Sequence, residues 1–303
     1  MTSTYDAAQW RLLHREYPPF SPHVTEVDID VTVTACAPLS GPNGEGIIAL
    51  GTLSGEIFLW DLRSEQIIGQ PLRGHSDKIN ALVSWNGADG STYLASADDE
   101  IAEKSSICVW KLFDEKPEVG SLVGHTYFSD ALTYFRSRQG NILLVATDQI
   151  SVRVWDPLSG KEIACRQRVD TDYADGQWFF GVEMVSLSSG EPCIAIADNS
   201  CIRILDAESL ATLYTLPGDH KDTISDLSFF SERGRSAFLA SVARNGSIII
   251  HRLHDNSEHE VRPALVSRDE TPHSLTFFVT TKEIFVSLWE WIMEKSGSGT
   301  LII

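Results

Sequence analysis

The chain has 303 residues, 43% of them hydrophobic, with 24 Lys and Arg against 42 Asp and Glu and a net charge of −18. That apolar fraction supports a buried core and excludes global disorder, and no apolar run approaches the roughly 20 residues a helix needs to cross a bilayer. The acid excess, without a cluster of Lys or Arg, argues against nucleic acid and anionic membrane surfaces as partners.

In chain order, a short apolar run at 8–13 comes first. Residues 1–10 are polar and lack a basic-then-apolar leader, so a cytoplasmic chain is expected. Next comes a segment ending in Trp60-Asp61. The following unit is clearest, with runs at 79–85, 92–97, 106–111 and 119–123, each of strand length and too short for a typical helix. Its joins are turn-forming: Asn86-Gly87-Ala88-Asp89-Gly90, Ala97-Asp98-Asp99 and Pro117. Further units end at Trp155-Asp156, Leu205-Asp206 and His251-Arg252, and runs at 274–280, 283–292 and 300–303 close the chain. Trp60, Trp110, Trp155, Leu205 and His251 recur at intervals of 45 to 50 residues. A second marker, Gly74-His75, Gly124-His125 and Gly218-Asp219-His220, keeps the same period. Cys36, Cys108, Cys165, Cys193 and Cys201 stand singly, with no C-x-x-C, as expected of reduced thiols.

The unit is therefore an antiparallel meander of four strands, in an all-β chain. One such sheet exposes an apolar face and two edges; several arranged radially cover one another's faces, which is a β-propeller. The Gly-His and Trp-Asp markers resemble the WD-repeat family, most cleanly in the second and third units. Six blades are expected, with seven as the alternative. Their approximate bounds are 28–72, 78–122, 128–167, 178–216, 223–264 and 273–303 plus 7–14. The N-terminal strand would complete the C-terminal blade and close the ring.

The resemblance implies a hydrogen-bonded chain within each well-marked blade. In the second unit it falls on His75, Ser96, Asp98 and Trp110, and in the third on His125, Thr147, Asp148 and Trp155. A buried imidazole needs a partner at each nitrogen, and an indole N–H needs an acceptor. Copying of the set in successive blades argues for a structural role over catalysis.

Function is sought at the loops ahead of each innermost strand, which in propellers of this type gather around the channel mouth. That rim runs through His23, Asp77, Lys78, Tyr127, Phe128, Trp178, Phe179, Asp222 and His273, with aromatics crowded at Tyr127, Phe128, Tyr173, Trp178, Phe179 and Phe180. Three readings compete: inter-blade packing, a hot spot for a protein or peptide, and a pocket for an apolar small molecule. The resemblance implies an interaction scaffold. The alternative is a cofactor-independent enzyme that catalyses cyclisation, isomerisation or cycloaddition of an apolar metabolite by positioning, with Tyr173, Asp175, Trp178 or His273 orienting a hydrogen bond. No metal or organic cofactor is expected: His251, His254 and His259 fall in a polar outer loop, and neither a phosphate loop nor a nucleophile elbow is present.

Overall fold

The computed structural model describes residues 31–99, 107–114, 118–122, 124, 129–167, 179–186, 190–216, 220–231, 237–253, 260–264, 274–279 and 284–289. Blade one is β1 (Val33–Ser40), β2 (Gly46–Thr52), β3 (Ile57–Asp61) and β4 (Gln66–Ile67). Blade two is β5 (Ile79–Asn86), β6 (Thr92–Asp98), β7 (Ile107–Lys111) and β8 (Glu118–Leu122). Blade three is β9 (Ser129–Arg136), β10 (Ile142–Asp148), β11 (Ser151–Asp156) and β12 (Lys161–Gln167). Blade four is β13 (Phe179–Ser186), β14 (Pro192–Asp198), β15 (Cys201–Asp206) and β16 (Thr212–Leu216). Blade five is β17 (Ile224–Ser231), β18 (Ala237–Ala243), β19 (Ile248–Leu253) and β20 (Glu260–Ala264). A two-stranded sheet follows, β21 (Ser274–Val279) with β22 (Ile284–Trp289).

Every sheet is an antiparallel meander in sequence order. The first strands form the inner wall, with β1 against β5, β5 against β9, β9 against β13, β13 against β17 and β17 against β21. The runs expected in the second unit match β5 to β8 to within a residue at each end. The blade count differs. The described residues hold five four-stranded blades and one strand pair, in place of the six, or alternatively seven, that the period suggests. The segments expected to complete and close the ring, 7–14 and 300–303, lie outside the described residues.

Apolar layers between blades hold the wheel together. Ala37, Leu39, Ile47, Ala49, Ile57 and Leu59 of blade one meet Ile79, Leu94 and Trp110 of blade two. Trp155 of blade three packs with Trp85, Tyr93, Ala95 and Val109 of blade two. Leu205 of blade four joins Val152, Val154 and Phe135 of blade three. The residue at the tryptophan position of each of these blades thus faces the preceding blade. β6 is buried along its whole length because it is covered on both faces, whereas the outer β12 alternates between exposed and half-buried residues.

The aspartate of the Trp-Asp marker has its own task. Asp61 Oδ1 accepts from the Arg63 N–H at 2.8 Å, Asp156 Oδ1 from the Leu158 N–H at 3.0 Å and Asp206 Oδ1 from the Ser209 N–H at 2.8 Å. In each case the side chain stands in for a backbone acceptor and closes the turn into the fourth strand. Gly55, at φ 81°, fills a different need: a Cβ there would lie 2.8 Å from the Asp77 carbonyl oxygen and 3.0 Å from that of His75. Only glycine lets the blade-one turn approach the blade-two backbone so closely.

Candidate functional site

The second blade brings together all four residues expected to form its network. His75 Nε2 lies 2.6 Å from Ser96 Oγ, His75 Nδ1 lies 3.1 Å from Asp98 Oδ2, and Trp110 Nε1 donates to Ser96 Oγ at 2.7 Å. The segment carrying His75 precedes β5, Ser96 and Asp98 are on β6, and Trp110 is on β7, so the chain of bonds ties the loop across three strands. The side chains of His75 and Asp98 are each 2% exposed. Burial pulls the imidazole pKa down, but hydrogen bonding and charge from Asp98 and Cys108 outweigh it and raise the value to about 9. His75 is therefore an imidazolium at neutral pH, donating to Asp98 and Ser96.

In the third blade, Thr147 and Asp148 are fully buried at the end of β10 and Trp155 is fully buried on β11. Asp148 Oδ1 accepts from the N–H groups of Ile150, at 2.9 Å, and Ser151, at 2.5 Å, and so shapes the β10–β11 turn. His125 lies outside the described residues.

Two departures were missed in the sequence. In blade five, His220 Nε2 lies 2.7 Å from Ser241 Oγ and Nδ1 2.8 Å from Ser247 Oγ, while Ser247 Oγ donates to Asn245 Oδ1 at 2.7 Å. A serine oriented by a turn asparagine thus stands where blade two uses Asp98. In blade four, where Leu205 takes the tryptophan position, Arg203 Nε donates to Asp198 Oδ2 at 2.5 Å.

The channel mouth is best described at blades one, two and five. Asp77 Oδ1 accepts from the Lys78 N–H and Asp222 Oδ1 from the Thr223 N–H, both at 2.7 Å, so two blades start their inner strands with the same device. Asp99 gathers two neighbours: Asn80 Nδ2 donates to its Oδ1 at 3.0 Å and Lys78 Nζ lies 3.5 Å from its Oδ2. Thr34 Oγ1 of blade one donates to the Ile79 carbonyl of blade two at 2.7 Å, joining adjacent inner strands. This stretch of the mouth is polar and half-exposed, a feature that the dipeptide Asp98-Asp99 marked in the sequence only as a turn.

Of the six clustered aromatics, Phe179 is the one with a described side chain. It is 3% exposed, in the layer between blades three and four, and its N–H donates to the Gln149 carbonyl at 3.3 Å. Tyr127, Phe128, Tyr173, Asp175, Trp178 and His273 lie outside the described residues, and Phe180 is described as backbone in β13 only.

The sequence also did not single out Glu183, on the inner strand β13. Burial, with Asp226 beside it on β17, raises its carboxyl pKa to about 8 against the opposing hydrogen bond from the Phe229 backbone N–H. It is largely protonated at neutral pH. Among the described residues, no three His, Cys, Asp or Glu side chains are grouped to hold a metal ion.

No family model matches the chain. A stretch of 119 residues is 28% identical to nuclear distribution protein PAC1 of Fusarium vanettenii, covering 37% of this chain and 25% of that protein. A stretch of 113 residues is 28% identical to nuclear distribution protein nudF of Aspergillus flavus, covering 37% and 23%. The aligned stretch spans about a quarter of the length of these curated relatives. Among solved structures, a chain of the mitotic checkpoint complex superposes with a TM-score of 0.63 at 15% identity, over 88% of this chain and 77% of that chain.

Proposed function

This chain is a WD-repeat β-propeller, and from that premise we propose that it is a rigid protein-interaction platform whose contact surface is the aromatic rim of the channel mouth. One observation carries the reading. The chain's clearest His–Ser–Asp set is enclosed within blade two, with His75 and Asp98 each 2% exposed, so its chemistry holds the fold and the surface is left for contact. The likeness to a chain of the mitotic checkpoint complex supports protein partners. The rim assigned to this contact is Tyr127, Phe128, Tyr173, Trp178, Phe180 and His273; Phe179 supports it from the core. No arrangement among the described residues favours the alternative enzyme for apolar metabolites.

The same reading takes the wheel as closed by residues 7–14 and the chain as cytoplasmic. Trp60 supports the closure. It pairs with Ile48, on the face of blade one opposite Ile47 and Ala49, and is only 4% exposed although that face is turned away from blade two. Trp110 and Trp155 make the corresponding contact with the preceding blade, and a closed ring gives Trp60 the same environment.

A photo-crosslinking amino acid placed at Tyr127, and in a parallel protein at the exposed Leu158, tests the contact surface in cells. A partner adduct from position 127 and none from 158 is expected. Adducts from 158 alone would move the contact to the turns at the opposite end of the blades.

A further inference from the structure

We propose that Asn245 is a self-modification site, where the backbone nitrogen of Gly246 attacks the side-chain amide of Asn245 and turns it into a carboxylate. The chain holds three Asn-Gly pairs, at Asn43-Gly44, Asn86-Gly87 and Asn245-Gly246. Glycine obstructs such an attack least, because it carries no Cβ. All three asparagines are exposed, so the dipeptide and its exposure rank them equally. Their hydrogen bonds do not.

Asn43 and Asn245 occupy the same place in the same kind of turn. In blade one the Gly41 N–H donates to the Glu45 carbonyl at 2.8 Å and the Gly44 N–H to the Gly41 carbonyl at 2.9 Å. In blade five the Ala243 N–H donates to the Ser247 carbonyl at 3.0 Å and the Gly246 N–H to the Ala243 carbonyl at 2.9 Å. The two glycines match as well, at φ 81° and 77°. With the backbone alike, the side-chain partners decide. Asn245 Oδ1 accepts from the Ser247 N–H at 3.0 Å and from Ser247 Oγ at 2.7 Å. Asn43 donates instead, from Nδ2 to Glu45 Oε1 at 2.8 Å and from its N–H to Oε2 at 2.9 Å, and these bonds lower the Glu45 pKa and keep it an anion.

Attack on the amide carbon pushes negative charge onto Oδ1. Two donors aimed at that oxygen stabilise the charge, as an oxyanion hole does. Gly246 is buried and Ser247 half-buried, so water screens these donors little. The Glu45 carboxylate beside Asn43 opposes the same charge. Asn86, at the end of β5, has one long bond to its Oδ1, from Thr92 Oγ1 at 3.4 Å, and its attacking group is tied into the sheet, since the Gly87 N–H donates to the Ser91 carbonyl at 2.8 Å.

In the reaction the Gly246 nitrogen bonds to Cγ, the Cγ–Nδ2 bond breaks, and the Gly246 proton leaves with the amide nitrogen as ammonia, giving a succinimide ring. Water then opens the ring. Addition at Cγ restores the main chain with aspartate; addition at the Asn245 backbone carbonyl carbon leaves isoaspartate, with the main chain rerouted through Cγ. Either product carries one more negative charge at neutral pH. That charge falls beside the channel mouth, because the Arg244 N–H in the same turn donates to the Thr223 carbonyl at 2.9 Å. Aspartate restores an acid behind Ser247, the partner of His220 Nδ1; isoaspartate lengthens the turn by one main-chain atom and draws Ser247 away from His220.

The test incubates the folded full chain at neutral pH in heavy-oxygen water and follows the three pairs by peptide mapping with tandem mass spectrometry. Asn245 is expected to convert at least tenfold faster than Asn43 or Asn86, to aspartate and isoaspartate that have each taken up one heavy oxygen. In urea sufficient to unfold the chain the three rates should converge, because the ranking comes from the fold. Ser247→Ala, which removes one donor, should slow conversion of Asn245 at least threefold. If that variant fails to fold, the folded and urea rates of the unmodified chain decide alone. No conversion of Asn245, equal rates at the three pairs in the folded chain, a ranking that survives in urea, or undiminished conversion in a folded Ser247→Ala chain would overturn the proposal.

Discussion

Ser96→Ala removes one oxygen, yet that oxygen joins His75 to Trp110 at 2.6 and 2.7 Å. Ser96 is fully buried, Trp110 is 2% exposed and the His75 side chain is 2% exposed, so water does not replace the lost partner. Two donors are then stranded, each at about 1–3 kcal/mol, for an expected loss of about 2–6 kcal/mol. The assay is equilibrium unfolding in urea, reading the midpoint at constant slope. A cycle with Trp110→Phe sharpens it: removing both members of the Trp110–Ser96 bond should give a loss smaller than the sum of the single losses by about 1 kcal/mol. A Ser96→Ala loss below about 0.5 kcal/mol, or strict additivity in the cycle, would refute the view that this network is closed and dry.

The His75–Asp98 pair gives a pH signature. With the folded-state pKa raised from 6.5 to about 9, its contribution is complete below pH 6.5 and disappears as pH rises through 9; melting temperature should fall across that window, and Asp98→Asn should flatten the fall. Asp206 works in the opposite sense: despite some desolvation, Arg138 and the Ser209 contacts hold its pKa at about 2, below 3.8, so its contribution is present above pH 3.8 and lost as pH drops through 2. Arg138→Met should reduce that acid sensitivity, as an acid melting series would show. Gly55→Ala forces a Cβ against two carbonyl groups at positive φ and should lower stability by about 1–3 kcal/mol in chemical unfolding. Ser241→Ala in blade five should cost about 1–2 kcal/mol by the same measurement, less than Ser96→Ala, because no tryptophan N–H depends on Ser241.

How much was legible in the sequence follows from where each contact is encoded. The strands and their order were readable because each unit repeats a local pattern, apolar runs between turn residues, and β5 to β8 fall where that pattern puts them. The network of blade two was readable because all four of its members retain the residue types the family resemblance requires. In blade five, Ser247 replaces the acid and depends on Asn245 to orient it, a substitution of one hydrogen-bonding route by another that leaves no familiar signature. Glu183 was illegible for a different reason: a glutamate in an alternating strand is expected at a solvated face, and only the approach of β17 turns that face inward. The Arg138 cluster joins residues 53 to 70 positions apart, beyond any local pattern. Phe179 reads as rim because it lies just ahead of the expected inner strand, but the register shift between Phe179 and Val182 accompanies a side chain turned into the layer facing blade three.

The most direct test of the account is a paired measurement on Tyr127→Ala with Trp178→Ala: recovery of co-purifying protein partners, and the melting temperature of the purified double variant. The platform reading predicts that partner recovery is abolished while melting stays within about 2 °C of the unmodified chain, as expected for surface changes of at most a few tenths of a kcal/mol. A drop of about 5 °C or more, or undiminished partner recovery by a folded variant, would contradict it.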